Sequence, residues 1–177
     1  MFDSPSRGYR LGYHAGSLEC FVLFDHCAVC RSCCHIEAGY PPLEVVLPQA
    51  EQKRFGRICI EDQCEHLGPK GCKLGDAKPI GCQLYPLTFD PQSSSFFFDS
   101  ECPLLPEYQR QLADPSSEAS THLKRMRQAI DTLSVSDPTF LQLNFDADSD
   151  YFDIVPLDPQ GPHGSVDSPG SRQKVKQ

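Results

Sequence analysis

Cys27-Ala-Val-Cys30-Arg-Ser-Cys33-Cys34 holds four cysteines within eight positions, the densest cluster in the chain. Two successive C-x2-C steps place three thiols on one tight turn. This spacing is typical of a loop that wraps a metal centre and donates backbone N–H groups to the sulfurs. Because Cys34 directly follows Cys33, we expect their side chains to leave the backbone in different directions. The sequence therefore predicts that Cys34 serves a second centre or a multinuclear cluster.

The remaining thiols follow at wider spacing. Seven residues separate Cys64 from Cys72, nine separate Cys72 from Cys82, and Cys102 comes last. Glycine stands directly before both Cys72 and Cys82, and glycine beside a ligand lets the backbone approach a metal without a Cβ clash. The predicted metal ligands are eight thiols: Cys27, Cys30, Cys33, Cys34, Cys64, Cys72, Cys82 and Cys102.

Composition indicates the compartment and excludes some partners. The chain begins at Met1 without an apolar stretch of signal-peptide length, so we expect it to stay in the cytoplasm, where structural disulfides are rare. The net charge of −8 argues against binding to a nucleic-acid backbone, which needs clustered Lys and Arg. The apolar runs are too short to span a bilayer, so no membrane partner is expected.

The number of thiols leaves the kind of metal centre open. Eight thiolates suit two sites of four ligands each, or one iron–sulfur cluster with thiols to spare. C-x2-C-x2-C with a distant Cys102-Pro103 is similar to the ferredoxin ligation of a 4Fe–4S cluster, which is therefore favoured among the iron options. Zinc would be held equally well by such a set, and spacing does not separate the two metals.

The whole pattern resembles a known family. C-x2-C-x2-C-C, then Gly71-Cys72, then Lys78-Pro79-x2-Cys82, resembles the YkgJ-like cysteine-cluster family from the first of the eight thiols to the last. The resemblance implies a zinc- or iron-chelating domain with eight characteristic cysteines.

Two positions depart from that family. Arg31 stands where the family often has Gly, and Gln83 stands where it often has Arg. Flagellin lysine N-methylase is similar over the same cysteines, and this implies, as an alternative function, an iron–sulfur-dependent methyl transfer to protein lysine. The sequence contains no glycine-rich nucleotide loop that would independently support binding of S-adenosylmethionine.

Other residues near the thiols receive simpler interpretations. Cys20 and Cys59 lie outside the eight, and both are predicted to be buried as small hydrophobes. His26, His35 and His66 are predicted to be neighbours of the centre or solvent-facing residues, because eight thiols already suffice. The three lysines among the later cysteines either lower the thiol pKa values or are ordinary solvated side chains. They are Lys70, Lys73 and Lys78.

We predict an α+β fold: a small, irregular, metal-nucleated and Cys-rich domain with short hairpins and one amphipathic helix. The domain covers residues 18–157, between a flexible N-terminus at 1–17 and a disordered tail at 158–177 that is rich in Pro, Gly and Ser. The helix is predicted at 115–133, with Asp114 as N-cap and an apolar stripe along one face.

The other predicted elements are short. They are a strand at 18–24, a strand at 45–47 with a helix from 48 to 56, a hairpin of 84–89 with 96–99, and a C-terminal hairpin of 141–145 with 151–155 whose acidic turn is 146–150. Three functions are left open: an accessory redox or metal-handling protein, the methylase-like enzyme, and a structural zinc module that docks a protein partner. In each of them the first partner is a metal ion.

Overall fold

The structure, a computed structural model, describes residues 30–157. The predictions for 1–17, 18–24, Cys20, Cys27 and 158–177 lie outside the described residues. The α+β class is confirmed. The strands are β1 (Leu43–Val45), β2 (Ile58–Ile60), β3 (Leu67–Gly68), β4 (Gly71–Cys72), β5 (Leu87–Asp90), β6 (Ser95–Asp99) and β7 (Ile154–Pro156). The helices are α1 (Gln49–Phe55), α2 (Ile80–Leu84), α3 (Leu105–Gln111), α4 (Glu118–Ser136) and α5 (Pro138–Tyr151), with short 3-10 turns at Ser32–Cys34 and Gly75–Ala77.

The first half of the fold consists of two small antiparallel ribbons, β1–β2 and β3–β4. Ile58 and Ile60 on β2 pack inward on Ile36 and Leu47, which form a small core. Cys59 lies between the two isoleucines and is exposed, so the prediction of a buried Cys59 is wrong. The reason is the strand's period of two, which points alternate side chains to opposite faces.

The predicted helix at 48–56 is confirmed as α1. Pro48 stands at its N-cap, and the chain leaves the helix at Gly56 with φ of 64°, a left-handed conformation that favours glycine. The strand expected at 45–47 is placed slightly earlier, as β1. Helix α1 therefore connects the two strands of the first ribbon, and its first turn carries Glu51, which contacts a later part of the chain.

The second half is built on a three-stranded antiparallel sheet in the order β5–β6–β7. The predicted hairpin around 90–94 is confirmed, since β5 pairs with β6 from Leu87 opposite Phe98 to Asp90 opposite Ser95. The Asp90 carboxylate accepts hydrogen bonds from the backbone N–H groups of Gln92 and Ser93, which stabilises the turn.

The main core lies between this sheet and helices α3 and α4. Phe98 and Tyr108 are fully buried, and their ring centroids are 5.2 Å apart. The apolar stripe predicted for the long helix packs in this core through Ala119, Leu123 and Met126, whereas Ile130, also buried, packs in a separate cluster with Phe140 and Leu141. Burial of such a stripe is the main source of stability for a helix of this kind.

The boundaries predicted for the long helix are wrong. It spans Glu118–Ser136 instead of 115–133, and its N-cap is Ser117, whose hydroxyl accepts the Ser120 N–H at 3.2 Å. Asp114 is engaged elsewhere, because its carboxylate accepts both the N–H and the hydroxyl of Ser116. This closed turn delays the start of the helix by three residues.

The predicted C-terminal hairpin is also wrong, and so is the expectation of one amphipathic helix. Residues 141–145 and the acidic segment 146–150 lie in α5, which is capped by Asp137 and begins at Pro138. Phe140, Leu141 and Asn144 are buried at helical spacing. Only the end of the region is extended, and β7 pairs with β6 rather than with a hairpin partner. Among residues 30–157, none of the helices combines the length and the apolar character that a membrane crossing needs.

Candidate metal centre

The first cysteine loop is fixed to the second cysteine segment by Arg31. Its backbone has φ of 60°, and its carbonyl accepts the Cys34 N–H at 2.9 Å to close the 3-10 turn. Its guanidinium donates to the carbonyl of Pro69 at 2.6 Å. In the sequence pattern, Arg31 is only a position that departs from the family. In the structure it joins the two segments that carry the thiols.

Cys33 and Cys34 direct their thiols to the same side. Their Sγ atoms are 3.9 Å apart, so the expectation that the two side chains diverge is wrong. Both residues lie in the 3-10 turn Ser32–Cys34. A zinc–sulfur bond of about 2.3 Å gives a sulfur–sulfur edge of about 3.8 Å in a tetrahedral site. The observed separation therefore suits thiolates bound to one ion or to two adjoining ions.

Backbone hydrogen bonds bring Cys64 and Cys72 next to this pair. The Cys64 N–H donates to the Cys34 carbonyl at 2.8 Å, and the Cys64 carbonyl accepts the Leu67 N–H at 2.9 Å. Leu67 is the residue opposite Cys72 in the β3–β4 ribbon. Three thiols from widely separated positions are thereby connected through a few backbone contacts.

Cys82 is placed by helix α2, which is held at both sides. The Glu51 carboxylate of α1 accepts the Ile80 N–H at the start of α2, at 3.1 and 3.2 Å. Gly81 lies so close to α5 that a Cβ there would be 3.1 Å from Oδ1 of Asn144 and 3.3 Å from the Val46 carbonyl. The glycine before Cys82, predicted to allow approach to a metal, instead allows approach of two helices.

Negative charge at Cys34 and Cys72 acts on Cys64, and negative charge at Cys34, Cys64 and Cys72 acts on Cys82. Burial, together with these charges, raises the pKa of Cys82 to about 12, against the opposing effect of Lys78. Burial also raises the pKa of Cys64, with added contributions from Cys34 and Cys72. Four thiolates in this arrangement repel one another unless a cation lies among them.

Cys34 behaves differently from its neighbours. A hydrogen bond from the Cys33 thiol lowers the pKa of Cys34 to about 7, against the opposing effect of burial, and Lys78 lowers it as well. Lys78 also lowers the pKa of Cys82. Of the three lysines considered in the sequence, Lys78 therefore acts on the thiols, whereas Lys73 donates to the backbone carbonyl of Glu65.

Cys102 belongs to the main hydrophobic core. It is 8% exposed and packs in the main core beside Leu84. The adjoining Tyr85 hydroxyl donates to the Asp99 carboxylate at 2.5 Å. Burial and this hydrogen bond raise the pKa of Tyr85, and negative charge at Cys102 and at Cys33 raises it further. Cys33 and Cys102 therefore share the neighbourhood of one tyrosine.

The remaining predicted residues are more peripheral. Cys30 is half-buried, with its Sγ 3.0 Å from the Ser32 hydroxyl. His35 lies 3.4 Å from the Asp62 carboxylate, and His66 lies 3.5 Å from that of Glu65.

As they stand within residues 30–157, no three His, Cys, Asp or Glu side chains are close enough together to hold a metal ion. None of the eight cysteines in this part of the chain is in a disulfide. An ion bound by several of these thiols would therefore require them to move closer together. Because no disulfide occupies the thiols of residues 30–157, they can act as ligands.

Sequence reasoning missed a buried polar network beside the centre. The Tyr108 hydroxyl is 3.0 Å from Nδ1 of His122, and Nε2 of His122 is 2.9 Å from the carbonyl of Gln83, the residue after Cys82. Burial lowers the pKa of His122 to about 4. Helical spacing is the feature of the sequence that indicates a buried histidine, because it places His122 with Ala119 and Leu123 on the buried face of α4.

Comparison of the chain with family models, with curated proteins and with solved structures finds no match.

Proposed function

We propose that this chain is a metal-binding protein whose cysteine thiols coordinate zinc or an iron–sulfur cluster, in an accessory role such as electron transfer, metal handling or docking of a protein partner. The observation that carries the proposal is that Cys33 and Cys34 lie with their Sγ atoms 3.9 Å apart and that the Cys34 carbonyl accepts the Cys64 N–H, which brings the two cysteine segments together. The likeness to the YkgJ-like family, which rests on the cysteine motifs alone, supports the same function.

Physical chemistry favours a cation at this place. Thiolate ligands must be deprotonated to bind a metal, and the pKa of about 12 at Cys82 keeps that thiol protonated near neutral pH. A divalent ion offsets both the desolvation and the mutual repulsion, because a coordinating thiol loses its proton outright. A reducing cytoplasm would keep the thiols in the form that binds.

The spacing of Cys33 and Cys34 favours zinc over a 4Fe–4S cluster that uses both. In such a cluster four thiolates ligate the four irons at separate corners, whereas a sulfur separation of 3.9 Å is close to the edge of about 3.8 Å expected around a single tetrahedral ion. A 4Fe–4S cluster that takes only one of the pair is compatible with the same geometry. The iron option therefore stays within the proposal.

An enzymatic role of the methylase type gains no support from the cavity between the β5–β6 hairpin and α4, whereas a second cavity, of about 280 Å³, is lined by Cys59 and Cys64. A cavity of about 460 Å³ lies between the β5–β6 hairpin and α4, and its lining includes Phe89, Arg127 and Asp131 but no cysteine. A substrate bound there would not meet the thiols. We therefore propose the accessory role in preference to the enzyme. A structural zinc module would be an accessory protein of this kind that carries out no redox chemistry.

The deciding experiment is elemental analysis together with a visible spectrum on anaerobically purified protein. Stoichiometric zinc in a colourless protein supports the zinc module, and iron with sulfur-to-iron charge-transfer bands supports the redox role. Stoichiometric binding of S-adenosylmethionine in a titration would favour the enzyme instead. If neither metal is present and reconstitution adds none, or if mass mapping finds native disulfides among these cysteines, the proposal fails.

A further inference from the structure

We propose that Cys33 and Cys34 form a reactive dithiol, which low-molecular-weight disulfides of the glutathione type oxidise reversibly to a disulfide between the two adjacent residues. Their Sγ atoms lie 3.9 Å apart, so the bond closes when the two sulfurs approach to about 2.05 Å. Neither thiol is in a disulfide, and both are half-buried, within reach of a small reagent. The reaction needs no bound ion and therefore goes beyond the proposed metal binding.

Hydrogen bonds on both sides hold the backbone of the pair. Both residues lie in the 3-10 turn Ser32–Cys34, in which the Cys34 N–H donates to the Arg31 carbonyl at 2.9 Å. The Cys34 carbonyl accepts the Cys64 N–H at 2.8 Å from the second cysteine segment. The two thiols are thus placed side by side before a reagent arrives, and such pre-organisation favours an intramolecular bond.

The oxidation consists of two thiol–disulfide exchanges. In the first, the thiolate of one member of the pair attacks a sulfur of the reagent RSSR, forms a mixed disulfide and releases RS⁻, which takes up the proton that the thiol lost. In the second, the neighbouring thiolate attacks the protein sulfur of the mixed disulfide, and the other RS⁻ leaves and is protonated. The pair loses two electrons and two protons, which the reagent gains as it becomes two RSH molecules.

The product is a strained disulfide, which makes the oxidation easy to reverse. The peptide bond between Cys33 and Cys34 is trans, so their Cα atoms are about 3.8 Å apart, below the range of about 4.4–6.8 Å that is usual for disulfides. Strained disulfides are readily reduced and are typically labile or regulatory. The pair therefore stays reduced in a reducing medium and closes only when the ratio of disulfide to thiol rises.

Oxidation of the pair has a consequence for the metal, and this consequence alone rests on the proposed function. The thiolate is the form of cysteine that binds a metal, so a disulfide between Cys33 and Cys34 removes both sulfurs from any ion that they hold. The same reaction would then release or weaken the bound ion.

Peptide mapping of the full chain tests the dithiol directly. Trypsin cleavage after Arg31 and Lys53 yields peptide 32–53, which contains both members of the pair and no other cysteine. We would treat anaerobically purified protein with oxidised glutathione, alkylate the remaining thiols and measure this peptide by mass spectrometry. We expect the peptide to lose two hydrogens, to carry no alkyl group, and to regain both thiols when a dithiol reductant is added.

Single substitutions should stop the reaction after its first step. Cys33→Ser and Cys34→Ser each remove the second thiol, so the mixed disulfide with glutathione should persist roughly tenfold longer than in the wild type. Cys59→Ser, at an exposed position of β2, is the matched control and should leave the closure in peptide 32–53 unchanged. In urea, which unfolds the turn, the wild type should accumulate the mixed disulfide as the two variants do.

Four results would each overturn the proposal: an unreacted peptide 32–53, a lasting glutathione adduct on the wild-type pair, a bond from either member to another cysteine, or equal closure in urea. Zinc and iron measured on the same sample before oxidation test the proposed function separately. A protein without metal whose pair still closes would contradict metal binding and support the reactive dithiol.

Discussion

Oδ2 of Asp137 lies 2.8 Å from the backbone nitrogen of Gln49 and accepts its hydrogen bond. Oδ1 of the same carboxylate accepts the Phe140 N–H at 3.1 Å and so caps α5. One side chain therefore stabilises the positive ends of two helices, α1 in the cysteine-rich half and α5 in the helical half.

Replacing Asp137 with alanine should destabilise the protein by about 1–2 kcal/mol, because both helices lose an acceptor at their first turn. Urea unfolding at constant metal loading measures the change. Asp131→Ala, at an exposed position on α4, is the control and should change stability by less than about 0.5 kcal/mol. Equal effects of the two substitutions would contradict the double-capping role.

The buried His122 should make stability fall in mild acid. Its pKa is lowered to about 4, chiefly by burial and also by Arg125 and Lys78, while an unfolded chain titrates it near its usual 6.5. Between these values the unfolded state binds more protons, so stability decreases as pH falls from about 6.5 to 4. We expect a loss on the order of 2–3 kcal/mol over that window from this residue.

Unfolding experiments on His122→Gln would isolate the contribution. The variant should show a shallower decline of stability with falling pH than the wild type, whatever its stability at pH 7. His35→Gln replaces a histidine whose side chain is 49% exposed and should keep the wild-type slope. An unchanged slope in His122→Gln would show that the histidine does not carry the effect.

Asp148 should change the stability with pH in the opposite direction to His122. Burial raises its pKa to about 6, although the hydrogen bond that the Asn144 amide donates at 2.8 Å works against this. Between its ordinary value of 3.8 and about 6 the folded state binds more protons, so stability decreases as pH rises through that range. The carboxylate is therefore a cost to the fold at neutral pH.

Asp148→Asn should accordingly stabilise the protein at pH 7 by about 1 kcal/mol, because an amide has no charge to desolvate. Thermal unfolding of both proteins at pH 4.5 and pH 7 measures the size and the sign of this stability difference. The gain in stability of the variant over the wild type should be smaller at pH 4.5. Asp146→Asn, two residues earlier at an exposed position of α5, provides the comparison and should be neutral at both pH values.

Removal of the metal should loosen one half of the molecule more than the other. The cysteine-rich half has a small core of Ile36, Leu47, Ile58 and Ile60, whereas Phe98 and Tyr108 belong to a larger core of their own. Because metal binding contributes directly to folding where the apolar core is small, chelation should expose amides in residues 30–82 first.

Hydrogen exchange with and without a chelator tests this. We expect protection to fall by at least tenfold in β2 and in the 3-10 turn at Ser32–Cys34, and to change little in the middle of α4. Uniform loss of protection would mean that the two halves unfold together, and no loss would count against a metal in the folded protein.

Local chemistry made several elements predictable from the sequence. The hairpin turn at 90–94 follows from an aspartate that bonds to the next two backbone N–H groups, and the stripe on α4 follows from helical spacing. The apolar residues of α5 also fit short strands, so their pattern alone does not predict the helix, whose start in the structure is Asp137 followed by Pro138.

The arrangement of the thiols was less predictable. Spacing identified the cysteines as a set, but it did not reveal that the Cys34 carbonyl meets the Cys64 N–H, or that Arg31 reaches Pro69. Such contacts are formed between residues far apart in the chain, so residue type and short-range spacing carry no information about them. The same holds for the exposed side chain of Cys59, whose direction depends on which face of β2 meets the core.

Strand β7 has a consequence for how the protein is made. It pairs Ile154 with Asp99 and Val155 with Phe98, so the strand that leads to Cys102 gains its second neighbour only from residues near Pro156. During translation, the ribosome must deliver almost all of residues 30–157 before this sheet can close. If Cys102 binds a metal as proposed, that ion would therefore be inserted into a completed sheet only after residues up to Pro156 have been synthesised.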